Sequence, residues 1–186
     1  YKNGKKSGEG VMYRGSEYGR WKYYDKSGKL IQETDFNNGF VNGKIIYYYP
    51  NGKKQNEGQW KYNLQRGEYD EWFETGQLKT KGFYKAGYKD SLWTFWYENG
   101  NKKKEIFYDS LGDYKLINYW SFDGKQLVTK TNGEVQDVYS NGKTKEKGLI
   151  KDGKESGEWN YWYENGQKQS SGAYSNGKRT GTWFSW

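Results

Sequence analysis

The chain has 186 residues, 31 of them Lys or Arg and 23 Asp or Glu, for a net charge of +8. It contains neither Cys nor His, which excludes disulfides, thiolate chemistry and the commonest general base. No apolar run approaches the ~18 residues that a membrane-spanning helix needs.

Leu, Ile, Val and Phe number only 27, but 10 Trp and 20 Tyr add the apolar area that a core requires. Disordered chains are poor in aromatics, so a folded protein with an aromatic core is expected. The 26 Gly and single Pro point to many turns that need positive φ. The chain starts at Tyr1 and its one Met is Met12. That reads as a processed or truncated form and leaves cytoplasmic, envelope and secreted locations open.

From the N-terminus, a glycine closing an aromatic run recurs at Gly4, Gly28, Gly52, Gly76, Gly100, Gly124, Gly142 and Gly166. The intervals are 24 residues, except for 18 before Gly142. The first unit is damaged, and Trp183-Phe184-Ser185-Trp186 opens an incomplete last one. Seven residues before the glycine stand Trp21, Ile45, Tyr69, Trp93, Ile117, Val135, Trp159 and, in phase, Trp183. Four before it stand Tyr24, Tyr48, Trp72, Trp96, Trp120, Val138, Trp162 and Trp186. Six after it come Gly10, Gly58, Gly82, Gly148 and Gly172, and then a second turn such as Asn38-Gly39 or Asn176-Gly177.

Each unit therefore reads as strand, tight turn, strand, loop. Nine Asn-Gly dipeptides occur, and those that close aromatic runs, such as Asn51-Gly52 and Asn99-Gly100, predict type I′ hairpins with positive φ at both residues. The expected fold is all-β: an elongated single-sheet solenoid of tandem antiparallel β-hairpins, one array over residues 1–186, roughly 75 Å long at about 4.8 Å per strand. The period fails over residues 101–142, where Ile106 and Lys115 replace glycines and the unit ending at Gly142 is short. This segment reads either as a decayed repeat or as a bend that shapes a cleft.

The pattern G-x-W-x-x-[YW]-[YF]-x-N-G, followed after five residues by G-x-[YF]-x-x-G-[KR]-x-x-G-x-W, is cleanest from Gly157 to Trp183 and from Gly67 to Trp93. It resembles the bacterial MORN repeat variant and the repeat of the YwqK-type antitoxins, over nearly the whole chain. The resemblance implies a β-hairpin solenoid used for binding. It also implies toxin neutralisation in some members, secretion or surface attachment in others, and links to membranes and phospholipids in eukaryotic relatives.

The columns seven and four before the turn glycine are expected to form the core: Trp21, Tyr24, Tyr48, Trp72, Trp93, Trp96, Trp120, Trp159, Trp162 and Trp183. The columns five and three before it admit Glu71, Asp137 and Asp25, and a column that tolerates charge reads as partly exposed. Their aromatics, Tyr47, Tyr49, Phe73, Phe95, Tyr97, Tyr119, Tyr139, Tyr161 and Tyr163, form a candidate strip suited to a protein partner or to stacking on sugar rings. Lys53, Lys54, Lys102, Lys103, Lys104, Lys143 and Lys145 form a candidate basic edge. It suits anionic lipid or, less well, nucleic acid, and equally suits protection of strand edges.

Glu74, Glu98 and Glu164 recur two before the turn glycine without a second acid at fixed spacing, and Asp109 and Asp113 lack the spacing of a calcium loop. No catalytic residue, metal site or cofactor is expected. The reading is a non-enzymatic repeat protein that binds another protein, with a toxin-neutralising role. The alternatives are a surface adhesin contacting host protein or glycan, and anionic lipid docking through the lysine edge.

Overall fold

The computed structural model describes residues 1–186. It contains no helix and forms one open antiparallel sheet of 16 strands in chain order, each pair a hairpin. By packing, the chain divides into two compact units, Tyr1–Trp93 and Thr94–Trp186.

The N-terminal unit holds β1 (Gly8–Tyr13), β2 (Ser16–Tyr24), β3 (Leu30–Asn37), β4 (Phe40–Tyr48), β5 (Lys54–Lys61), β6 (Leu64–Trp72) and β7 (Leu78–Lys85). The unit boundary falls within β8 (Tyr88–Trp96). The C-terminal unit continues with β9 (Lys102–Tyr108), β10 (Tyr114–Trp120), β11 (Gln126–Thr129) and β12 (Asn132–Val138). It ends with β13 (Thr144–Lys151), β14 (Lys154–Trp162), β15 (Lys168–Ser175) and β16 (Lys178–Ser185).

Two kinds of turn alternate, and they reverse one expectation. At the turn after β4, Gly52 donates its N–H to Tyr49 O at 2.9 Å and Tyr49 donates to Lys53 O at 2.8 Å. Gly52 has φ +83, whereas Asn51 is not among the residues of positive φ. These are three-residue loops ending in a left-handed glycine, not the type I′ turns predicted for the Asn-Gly pairs after aromatic runs.

The two-residue turns with positive φ at both positions lie at the other end of the strands. They include Asn38-Gly39 (50° and 77°), Ala86-Gly87 (51° and 87°) and even Tyr62-Asn63 (50° and 65°). Asn51 serves a different purpose. Its Oδ1 accepts the Lys53 N–H at 2.9 Å, and its Nδ2 donates to Glu74 O at 3.0 Å in the next turn. Asn99 and Asn141 reach Phe122 O and Glu164 O in the same way.

The glycines six after each turn are there for space. Their strand partners include Trp159 opposite Gly148. A Cβ on Gly82 would lie 2.2 Å from the Trp93 indole, and one on Gly148 2.2 Å from that of Trp159. Each indole lies flat across the glycine backbone and donates Nε1–H to the next carbonyl, Phe83 O or Leu149 O, both at 3.2 Å. The same arrangement joins Trp21 to Gly10 and Trp183 to Gly172.

Trp93 and Trp159 are buried as expected, but the rest of the expected core is not. Tyr24, Tyr48, Trp72, Trp96, Trp120 and Trp162 are only half-buried. They stand three positions after the buried column, an odd offset, so strand alternation puts them on the opposite face. That face is covered by side chains rather than by a second layer: Lys54 Nζ lies 5.7 Å from the Trp72 ring and Lys102 Nζ 5.5 Å from that of Trp120. Trp21 and Trp183 are also half-buried.

In the C-terminal unit the short hairpin β11–β12 draws its neighbours together. Leu116 donates its N–H to Gly153 O at 2.9 Å, and the Tyr114 hydroxyl reaches Glu155 Oε2 at 3.0 Å. Elsewhere such stitches join residues 22 or 23 apart, but Tyr114 and Glu155 are 41 apart. The short hairpin is thus spanned by direct bonds between its neighbours, and the buried cluster of Ile106, Leu116, Tyr119, Val128, Val135, Ile150 and Trp159 forms around it.

Candidate binding surface

The aromatic strip expected at the surface is largely spent on internal contacts. The hydroxyl of Tyr49 donates to Trp72 O at 2.8 Å, that of Tyr97 to Trp120 O at 3.0 Å, that of Tyr139 to Trp162 O at 2.6 Å and that of Tyr163 to Trp186 O at 3.1 Å. Each bond ties one repeat to the next. Tyr97 and Tyr119 are buried, against expectation, and burial pushes both hydroxyls well above the ordinary tyrosine range. Tyr49, Phe73, Phe95, Tyr139 and Tyr161 are half-buried, and only Tyr47 and Tyr163 are exposed.

Asp137, read as a sign of exposure, is only 2% exposed. Its charge is compensated inside: Lys103 Nζ lies 2.6 Å away, and the Tyr97 hydroxyl stands 3.3 Å from its Oδ1. Glu71 is half-buried beside Lys79, at 2.7 Å. At Asp137 and Glu71 the charge in an aromatic column marks an ion pair, whereas Asp25 Oδ1 accepts hydrogen bonds from its own turn, from Ser27 N–H and Lys29 N–H.

The lysine edge is likewise occupied. Lys53 and Lys143 donate to carbonyls of the next turn, Thr75 O at 2.6 Å and Asn165 O at 2.7 Å. Lys54 pairs with Glu57 at 2.5 Å and Lys102 with Glu105 at 2.6 Å. Lys103 is taken by Asp137, Lys104 sits over Phe95 at 5.2 Å, and Lys145 over Tyr139 at 5.7 Å. These residues form a row, but their ammonium groups serve the fold.

The surface that stands free of such duties lies at the two-residue turns of the N-terminal unit. Phe40, Leu64 and Tyr88, each twelve residues after a turn glycine, are 50%, 55% and 74% exposed, and Tyr62 is 62% exposed. Phe40 and Tyr62 meet edge to face at 6.4 Å between ring centres. Backbone bonds between successive turns hold this edge in place: Asn63 N–H to Val41 O at 3.0 Å, and Gly87 N–H to Gln65 O at 2.8 Å. The Asn63 side chain adds a third, accepting the Val41 N–H at 2.7 Å.

A groove of about 500 Å³ opens on this edge, with Tyr62, Leu64 and Phe83 as its apolar lining and Lys61, Arg66 and Lys85 around them. In the C-terminal unit the positions in phase with Phe40, Leu64 and Tyr88 include Gly112, Lys154 and Lys178, and the large exposed apolar residue on that edge there is Leu111, in the β9–β10 turn. The sequence carried the signal, a large apolar residue just beyond the second turn at Phe40, Leu64 and Tyr88, but the aromatic columns nearer the turn glycines overshadow it.

The MORN repeat variant matches residues 17–38, 41–62, 65–86, 89–110 and 155–178, more than half of the chain. The chain belongs to the MORN repeat variant family. Four of its five matched repeats start 24 residues apart and span a strand pair, the first three up to a two-residue turn and the fourth into the β9–β10 loop, and the unmatched stretch 111–154 contains the short β11–β12 hairpin. MORN repeats are generally associated with binding to proteins or membranes. No curated protein matches this MORN repeat chain, and none of its elements is a helix long and apolar enough to cross a membrane.

Proposed function

We propose that this MORN repeat variant protein is a non-enzymatic binding protein, and that its partner is another protein docked on the two-residue-turn edge of the N-terminal unit. The observation that supports this is the exposed series Phe40, Tyr62, Leu64 and Tyr88, held on turns that are bonded to one another. Large aromatics dominate the energetic centres of protein interfaces, and rings presented by a rigid edge lose little entropy on docking. Lipid docking through the lysine edge fits less well, because those ammonium groups are already bonded to carbonyls, carboxylates and rings. The likeness of the repeat to that of YwqK-type antitoxins supports a toxin-neutralising role for the same surface.

A photo-reactive phenylalanine placed at Tyr62 or Tyr88 tests the edge in the native organism. The reading expects both positions to cross-link the same protein, and Leu64→Asp to abolish both adducts. Adducts to lipid only, or equal yields from a probe at Tyr163, contradict it. For the toxin-neutralising role, co-expression must relieve a growth defect caused by the cross-linked protein, and absence of relief rejects that role.

A further inference from the structure

Ion pairing is the rule on the strands of the N-terminal unit. Lys44 and Lys54 share Glu57, Lys79 pairs with Glu71, and Lys81 with Asp70 at 3.4 Å. The groove beside the two-residue turns breaks this rule. Lys61, Arg66 and Lys85 come from three adjacent strands and none of them has a carboxylate partner; Lys61 rests 5.8 Å from the Tyr62 ring centre. No carboxylate lines the groove. Glu68, the cross-strand neighbour of Phe83 on the same face, lines the adjoining crevice with Lys44 and Asp70 rather than the groove itself.

Three cations around an apolar floor form a recognition pattern with two parts. We infer that the groove binds an acidic peptide segment of the partner, with one apolar side chain seated against Leu64, Tyr62 and Phe83 and carboxylates meeting Lys61, Arg66 and Lys85. This rests on the protein-binding reading above and names the partner's chemistry. Arg66 gives a planar, fork-shaped donor suited to a carboxylate, and the two lysines give mobile point charges that tolerate variation in the acidic positions. The concave floor favours a peptide over a membrane surface. A bilayer presents its anions in a plane and would leave a groove of about 500 Å³ unfilled.

Three fluorescent peptides of equal length test this against the full chain at physiological salt: one acidic with a central Leu, one acidic with Ser in its place, and one basic with the Leu. The first should bind at least about tenfold more tightly than either of the others, and weaken as salt rises. Arg66→Glu, Lys85→Glu and Leu64→Ser should each weaken it about fivefold or more, while Lys178→Glu at the equivalent turn of the C-terminal unit should not. These groove positions carry no ion pair, and unchanged melting curves would show that the variants fold.

Equal binding of the three peptides, or indifference to the groove substitutions, overturns the inference. So does binding to phosphatidylserine vesicles that these substitutions abolish. If a partner cross-links at Tyr88 but ignores Arg66→Glu and Lys85→Glu, the groove chemistry is wrong while the edge reading stands. If the acidic peptide binds in the groove but no protein cross-links at Tyr62 or Tyr88, the groove chemistry stands and the edge reading falls.

Discussion

Asp137 on β12 and Glu146 on β13 stand directly opposite one another, two carboxylates paired across the ladder beside the buried Tyr119. Burial, and then the charge of Asp137, hold the Glu146 carboxyl above its ordinary value of 4.5, with Lys104, Lys103 and Lys145 opposing the shift. A carboxylate whose folded pKa is raised favours the folded state while protonated and disfavours it once ionised.

Glu146→Gln should therefore stabilise the protein at neutral pH. Below the ordinary Glu range both proteins carry a neutral side chain there, so the difference should close as pH falls through the window between the raised folded value and about 4.5. Urea midpoints measured across that window check the sign. A gap that is absent at pH 7, or that widens on acidification, contradicts the assignment.

Asp137 and Lys103 form the opposite case, an ion pair at 2.6 Å with the carboxylate almost sealed from water. Removing Lys103 alone, as Lys103→Met, should cost about 3–5 kcal/mol because Asp137 is left uncompensated. Replacing both together with Asp137→Val should recover much of that loss, as removal of a whole buried pair often does. A double-mutant cycle by chemical denaturation reads the coupling, and additive losses would show that the pair is not the relevant partner.

The glycine under each indole gives a prediction separable from turn chemistry. Gly148→Ala places a methyl group 2.2 Å from the Trp159 ring and should cost about 2–3 kcal/mol by forcing the indole off its seat. Gly157 has open space around it but φ +67, so Gly157→Ala should cost only about 1 kcal/mol, through the backbone. Equal losses in the two variants would mean that the indole is not held where the structure has it.

Tyr49→Phe keeps the ring but removes the 2.8 Å bond to Trp72 O, and should cost about 1 kcal/mol. Tyr163→Phe removes the equivalent bond at a ring that is 43% exposed, where water can replace the hydroxyl, and should cost less. Melting temperatures of the two variants give the order.

The period, the hairpins and the all-β architecture are legible in the sequence because the Trp and Gly columns are in contact: the indole requires the glycine, so both recur at one spacing. The choice between turn types was not. Asn at position 51 looks like a left-handed residue, yet it is used for its two side-chain bonds, and Tyr62-Asn63 adopts positive φ with no glycine at all. Burial of the tyrosine strip was hidden for a similar reason. Asp137 suggests solvent unless Lys103, which reaches it from 34 residues away, is already known to be its partner. The partners of the lysine row were hidden because a row of lysines in sequence says nothing about what each ammonium touches.

A partner held on the two-residue-turn edge of the N-terminal unit shields that edge from solvent, and hydroxyl-radical footprinting of the complex with the cross-linked partner reads this. Phe40, Tyr62, Leu64 and Tyr88 should be protected, with Tyr47 and Tyr163 oxidised as in the free protein. Protection of Tyr47 and Tyr163 with the turn edge unchanged would contradict it.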